Sequence, residues 1–113
     1  MKKLIDIRPW GRFEQFTHNE LTTVKIISVK PNQQLSLQYH LHRKEFWRIL
    51  SGSPIVQVGN KKTKAKEGDE FTIPVKAKHR ITSGSKPVKF LEISFGKFDE
   101  KDIVRLEDKY GRK

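Results

Sequence analysis

The sequence contains no cysteine and a single methionine. Disulfide frameworks, thiolate metal centres and thiol nucleophiles are therefore excluded, and any bound metal must be held by nitrogen and oxygen donors. No apolar run approaches the roughly 20 residues that a membrane-spanning helix needs, and the Met1-Lys2-Lys3 start lacks the apolar stretch of a signal peptide. A cytoplasmic protein without membrane contact is the expectation. Histidine is scarce, four in 113 residues, and apolar residues make up only 35%. That length suits one domain, residues 1–113, and the thin apolar content predicts a homodimer that shares its core. Acidic residues number 13 against 24 Lys and Arg, a formal charge of +11, which suggests an anionic partner. The one dense basic run, Lys61–Lys66 (KKTKAK), alternates in the manner of a solvated edge strand kept from pairing by lysines. No recognition helix, zinc finger or paired RNA-binding aromatics accompany it, so nucleic acid is not the expected partner.

What the chain does have is a stretch from Pro31 to Gly52, PNQQLSLQYHLHRKEFWRILSG, around which the rest is organised. Leu35, Leu37, Tyr39 and Leu41 share one parity, and Ser36, Gln38, His40 and His42 share the other. Strict period-two alternation is the signature of a β-strand with two chemically different faces. Gln38, His40 and His42 then point the same way, at Cα spacings of roughly 6–7 Å, close enough for two imidazoles to reach one ion. EFWRIL reads as the returning strand, beginning at Glu45 and ending at the turn Ser51-Gly52-Ser53. One hairpin thus offers His-x-His and a carboxylate, and His79 is a further candidate that the fold must deliver. Glu45 also suits a hairpin-start charge paired with Arg43 or Lys44. The amide of Gln38 serves either as a ligand or as a hydrogen-bond support for one. Trp10 and Trp47 are read as packing residues.

Along the chain, short β-rich segments alternate with turns at His18-Asn19-Glu20, Pro31-Asn32, Gly59-Asn60, Glu67-Gly68-Asp69 and Ser83-Gly84-Ser85. Eight or more short strands predict an all-β barrel or sandwich. A short C-terminal helix is predicted near Asp99–Val104, with Asp99 as its cap and Asp102 three residues on. There is no linker, low-complexity segment or internal repeat.

Pro31–Gly52 resembles the first cupin motif, and Gly68–Pro74 followed by His79 resembles the second. More narrowly, four blocks resemble the type II mannose-6-phosphate isomerase cupin: RPWG at Arg8–Gly11, LSLQYHLHRKEFW at Leu35–Trp47, IPVKAKHR at Ile73–Arg80 and DIVRLEDKYGR at Asp102–Arg112. That domain usually forms the C-terminal part of bifunctional mannose-1-phosphate guanylyltransferases. The resemblance implies a cupin jelly roll, a double-stranded β-helix holding a divalent metal ion. His40, His42, Glu45 and His79 fall where cupins place ligands, and Gln38 where some sugar-phosphate isomerases use one. Phe46 stands where close relatives often carry another histidine, and Ser94 where they tend to carry glutamine.

The implied reaction interconverts mannose 6-phosphate and fructose 6-phosphate, a step in carbohydrate metabolism that serves polysaccharide biosynthesis. A non-catalytic metal- or carbohydrate-binding cupin is the alternative. Moving a proton between adjacent carbons through an enediol needs a Lewis acid on the two oxygens and a base of suitable pKa. The donor set suits Zn²⁺ best, with Mn²⁺, Fe²⁺, Co²⁺ or Ni²⁺ also compatible. The substrate phosphate needs fixed cations, for which Arg43, beside His42, and Arg80, beside His79, are the candidates. Arg80 and Glu92 are the candidates for a catalytic role, although the parity of Glu92 does not say whether it faces cavity or solvent.

Overall fold

The structure is a computed structural model and describes residues 3–112. Eleven strands and no helix are present among these residues. β1 (Leu4–Arg8) and β2 (Gly11–Gln15) form a hairpin of their own. A four-stranded sheet runs in the order β3 (Thr22–Val29), β10 (Val88–Phe95), β5 (Glu45–Ser51), β8 (Glu70–Ile73). A five-stranded sheet runs β11 (Val104–Glu107), β4 (Leu37–Tyr39), β9 (His79–Thr82), β6 (Ile55–Val58), β7 (Lys61–Lys64). Every pairing is antiparallel and, apart from the β6–β7 hairpin, the strands from β3 to β11 alternate between the two sheets in the crossing pattern of a jelly roll.

The inward positions of the strands change character along their length, and this places the site. On β5 they are Ile49, Trp47 and Glu45; on β10 they are Phe90, Glu92 and Ser94; on β9 they are Ile81 and His79. At one end Val29, Ile49, Val56, Ile81, Val88 and Phe90 form a dry core. At the other end the same faces turn polar while remaining buried. Each fully buried Ile or Phe at the apolar end contributes about 1.5–3 kcal/mol through removal from water. The polar end is held in place by strands that the core has already fixed.

Several turns meet the expectations from sequence. Gly59-Asn60 joins β6 to β7 with Val58 opposite Lys61, and β7 is the outer strand of its sheet with Lys61, Lys62 and Lys64 exposed. Gly52 has φ +94° and lies so close to the next strand that a Cβ there would meet the Pro87 carbonyl oxygen at 2.5 Å.

Two expectations are corrected. No helix forms at Asp99–Val104. Asp99 does accept the Lys101 amide on its side chain and the Asp102 amide on its carbonyl. The turn then stops, because the carbonyls of Asp99 and Asp102 also accept from Arg43 and His40 across the barrel mouth. Trp47 packs in the core as expected, whereas Trp10, at the tip of the first hairpin, is 73% exposed.

Candidate metal centre

β4 ends at Tyr39, and the chain bends before β5 begins at Glu45. The bend is held by Asp102, whose carboxylate accepts the amides of Leu41 at 2.8 Å and of His42 at 3.0 Å. It also resets the parity. Even-numbered positions face inward up to His40, and odd-numbered ones do so from Arg43 onward. His40 is therefore buried, His42 is exposed, and Arg43 is turned inward in its place.

His40, Glu45 and His79 meet at the polar end of the barrel, with one donor atom from each lying within 4.8 Å of the others. His40 Nε2 is 3.4 Å from Glu45 Oε2, and His79 Nε2 is 3.8 Å from Glu45 Oε1. Ligand atoms around a tetrahedral ion with bonds of 2.0–2.1 Å sit about 3.3 Å apart, so small adjustments close the set around one ion. Both rings are already fixed for ligation. His40 Nδ1 donates to the Asp102 carbonyl at 2.6 Å, and His79 Nδ1 donates to the Ala77 carbonyl at 2.9 Å. Each Nε2 is left with its lone pair turned into the site, that of His40 meeting only a long 3.4 Å contact from Arg43 Nη2. Among the described residues the buried His79 Nε2 has no hydrogen-bond partner. A fully buried, unpartnered imidazole nitrogen is costly unless something binds it, and a cation fits that need.

The electrostatics agree. Burial holds His79 below the usual histidine range, which keeps it neutral and ligand-ready. Burial pushes Glu45 up, but the neighbouring imidazoles of His40 and His79 and the hydrogen bonds from Arg43 and Glu92 outweigh it and hold the carboxyl below its ordinary value. Arg43 Nε donates to Glu45 Oε2 at 3.1 Å, Trp47 Nε1 donates to Glu45 Oε1 at 3.1 Å, and Ser94 Oγ donates to Oε2 at 3.4 Å. Glu92 resolves in favour of the interior: it lies beside Trp47 on the inner face and hydrogen-bonds Glu45. Burial, then the Glu45 charge, push it up to about 8, so at neutral pH it is the protonated partner of a carboxyl pair.

The remaining candidates separate cleanly. Gln38 is the register partner of His79, on the same face, and its Oε1 accepts from Ser36 Oγ at 2.6 Å. Arg80 lies on the opposite face of β9 from His79. Its Nε donates to the Leu35 carbonyl at 3.1 Å and its Nη1 pairs with Glu107 at 3.1 Å, so it is not brought to the cluster. Asp102, Lys25 and Phe98 are functional neighbours that sequence reasoning does not single out. Asp102 holds the bend, and the Phe98 ring lies 4.1 Å from Lys25 Nζ and 4.5 Å from Arg43 Cζ.

Comparison with known proteins now decides the lineage. A family model, mannose-6-phosphate isomerase C-terminal, matches residues 3–108. The chain belongs to the mannose-6-phosphate isomerase C-terminal family. Similar proteins include mannose-1-phosphate guanylyltransferase ManC of Salmonella typhimurium, 36% identical over 107 residues, and the alginate biosynthesis protein AlgA of Pseudomonas aeruginosa, 39% identical over 107 residues. Each match covers 93% of this chain, which spans about a fifth of the length of these relatives, 22% in both cases.

Among solved structures, the family fold is shared with CapF of Staphylococcus aureus (TM-score 0.71, 18% identity, 95% of this chain and 35% of that one). It is also shared with oxalate decarboxylase of Bacillus subtilis (TM-score 0.70, 22% identity, 77% of this chain and 24% of that one). A double-stranded β-helix protein of Klebsiella pneumoniae matches over 82% of this chain and 80% of its own, with TM-score 0.67 and 21% identity. At these identities the likeness shows the fold alone. The fold of this family member is the double-stranded β-helix that these structures share.

Proposed function

We propose that this chain is a metal-dependent isomerase interconverting mannose 6-phosphate and fructose 6-phosphate. The observation that carries the reading is the buried trio His40, Glu45 and His79, with an unpartnered His79 Nε2, in a chain of the mannose-6-phosphate isomerase C-terminal family. His40, Glu45 and His79 would hold a divalent ion, Zn²⁺ being best suited to two imidazoles and one carboxylate, with Gln38 on the same face as a fourth donor or a support. A bound ion supplies Lewis acidity to the carbonyl and hydroxyl oxygens of an open-chain sugar.

The chain's own groups do the rest. Glu92 is the buried carboxyl we assign to moving the proton between the two carbons, a role that its burial, which tunes it toward neutral pH, supports. Glu45 cannot serve as that base while it is engaged by Arg43, Trp47 and the imidazoles. Arg43, held by Glu45 and the Asp99 carbonyl, is the cation nearest the cluster and the group we assign to the substrate phosphate. The products would serve polysaccharide biosynthesis, as the name of the alginate biosynthesis relative suggests. A coupled assay on metal-reconstituted protein, scoring fructose 6-phosphate converted to mannose 6-phosphate, tests the reading. Bound metal without turnover would leave a metal-binding cupin in its place.

The outward face of β3 presents Val24 and Ile26, 57% and 63% exposed. We assign this face to contact between two copies in a homodimer, since two apolar side chains on one strand lie open to solvent there.

A further inference from the structure

We propose that Lys25 and Arg43 form a subsite for the phosphate group of a small phosphate monoester, and that the ring of Phe98 fills this subsite until the ester displaces it. The inference deepens the isomerase reading, on which it rests only for the sugar part of the ester.

Lys25 is the register partner of Glu92, so its side chain is directed inward, toward the polar end of the barrel. It is half-buried, and among the described residues it makes no ion pair within 4.0 Å. Its ammonium instead lies over Phe98, 4.1 Å from the ring centroid. Arg43 comes to the same ring from the bend between β4 and β5, with its Cζ 4.5 Å from the centroid. Two cations drawn from distant parts of the chain thus share one phenyl group at the edge of the metal-binding trio. A ring quadrupole attracts each cation, but more weakly than a phosphate oxygen does through a charge-assisted hydrogen bond. Both cations lie within 4.5 Å of one ring centroid, where a dianion would bridge them, and among the described residues no carboxylate pairs with Lys25 within 4.0 Å.

The free valences also fit. Arg43 Nε and Nη1 are committed to Glu45 and to the Asp99 carbonyl, which fixes the guanidinium plane. Its Nη2 has only a long contact of 3.4 Å to His40 Nε2. When that lone pair serves as a metal ligand, it can no longer accept from Arg43, and Nη2 has its hydrogens free for an anion. Phe98 is placed to move. It follows Gly96, which sits at φ +87° just after β10, and it precedes the turn that Asp102 anchors to the bend. Rotation within Gly96–Phe98 withdraws the ring and leaves the Asp102 contacts in place.

The experiment uses the full chain and two probes, inorganic phosphate and mannose 6-phosphate, with unphosphorylated mannose as the control. In calorimetric titrations Lys25→Met should weaken binding of both phosphorylated probes by roughly ten- to a hundredfold, while Lys62→Gln with Lys64→Gln leaves it unchanged. Metal content, read by elemental analysis, should be the same in all variants. Phe98→Trp provides a spectroscopic readout, since the indole emission it adds should shift to longer wavelength as phosphate saturates and the ring moves into water. Phe98→Ala should bind phosphate more tightly than the unaltered chain because no ring has to leave. Binding that is indifferent to Lys25→Met, or saturation of Phe98→Trp with no change in its emission, overturns the inference and leaves the isomerase reading standing. Phosphate binding that depends on Lys25, in a protein with no isomerase activity, overturns that reading and supports the subsite.

Discussion

The carbonyl of Asp102 and the imidazole of His40, sixty-two positions apart, are joined by a 2.6 Å hydrogen bond. The same aspartate receives the next two amides on its carboxylate. One residue therefore sets both the tautomer of a candidate ligand and the course of the chain beyond it. Asp102→Ala keeps the carbonyl but releases the bend, a loss of about 1.5–3 kcal/mol for charge-assisted bonds of this kind. Metal affinity should fall by roughly 10–100-fold with the three ligand side chains intact, as expected for a support to a ligand. Calorimetric metal titration reads it, and affinity equal to that of the unaltered chain would remove Asp102 from the site.

The ligand set is tested by contrast between two neighbouring histidines. His79→Ala and His40→Ala each remove one of the three clustered donors and should strip the protein of divalent metal in elemental analysis. His42→Ala should retain it, because that ring lies in solvent. Retention in His79→Ala together with loss in His42→Ala would reverse the assignment.

Glu92→Gln is close to isosteric and preserves a hydrogen-bond partner for Glu45. The fold and the bound metal should survive. Isomerase turnover should fall by about 10²–10⁴-fold, the usual contribution of a positioned acid or base. Turnover within a factor of a few would direct the search for the base elsewhere.

Gly52→Ala tests the packing that closes the apolar end. The added methyl meets backbone of Pro87 at 2.5 Å and a Val88 methyl at 2.8 Å, at a φ that L-residues avoid. Denaturant unfolding should show a loss of about 1–3 kcal/mol, as for overpacked cores. An unchanged midpoint would mean that the β5–β6 turn yields at no cost.

For assembly, Val24→Lys with Ile26→Lys should convert a dimer into monomers in light scattering without altering the fold seen by circular dichroism. A monomeric mass for the unaltered chain would refute the pairing.

Much of this is legible in the sequence, and the parts that are not have a common cause. Parity gives the strand faces and sets Gln38 and His40 on the inner one, the hairpin adds Glu45, and the fold delivers His79 to them. Parity fails where a chain bends: it puts His42 inside and Arg43 at the mouth, whereas the Asp102 clamp turns His42 out and Arg43 in. The position of Arg80 next to a ligand misleads for a related reason, since neighbours on a strand face opposite ways. The predicted helix has adequate caps, but its carbonyls have better partners across the barrel mouth. Lys25 and Phe98 carry no local signal, since only the register of β3 on β10 and the return of the chain after Gly96 bring them together.

The clamp also has a consequence for biosynthesis. Asp102 is translated after every ligand, so a nascent chain that already displays His40, Glu45 and His79 still lacks the carbonyl that orients the first ring. Tight capture of a metal by these three residues would then wait until the chain has passed Asp102, so truncation upstream of it should weaken metal affinity with all three side chains present.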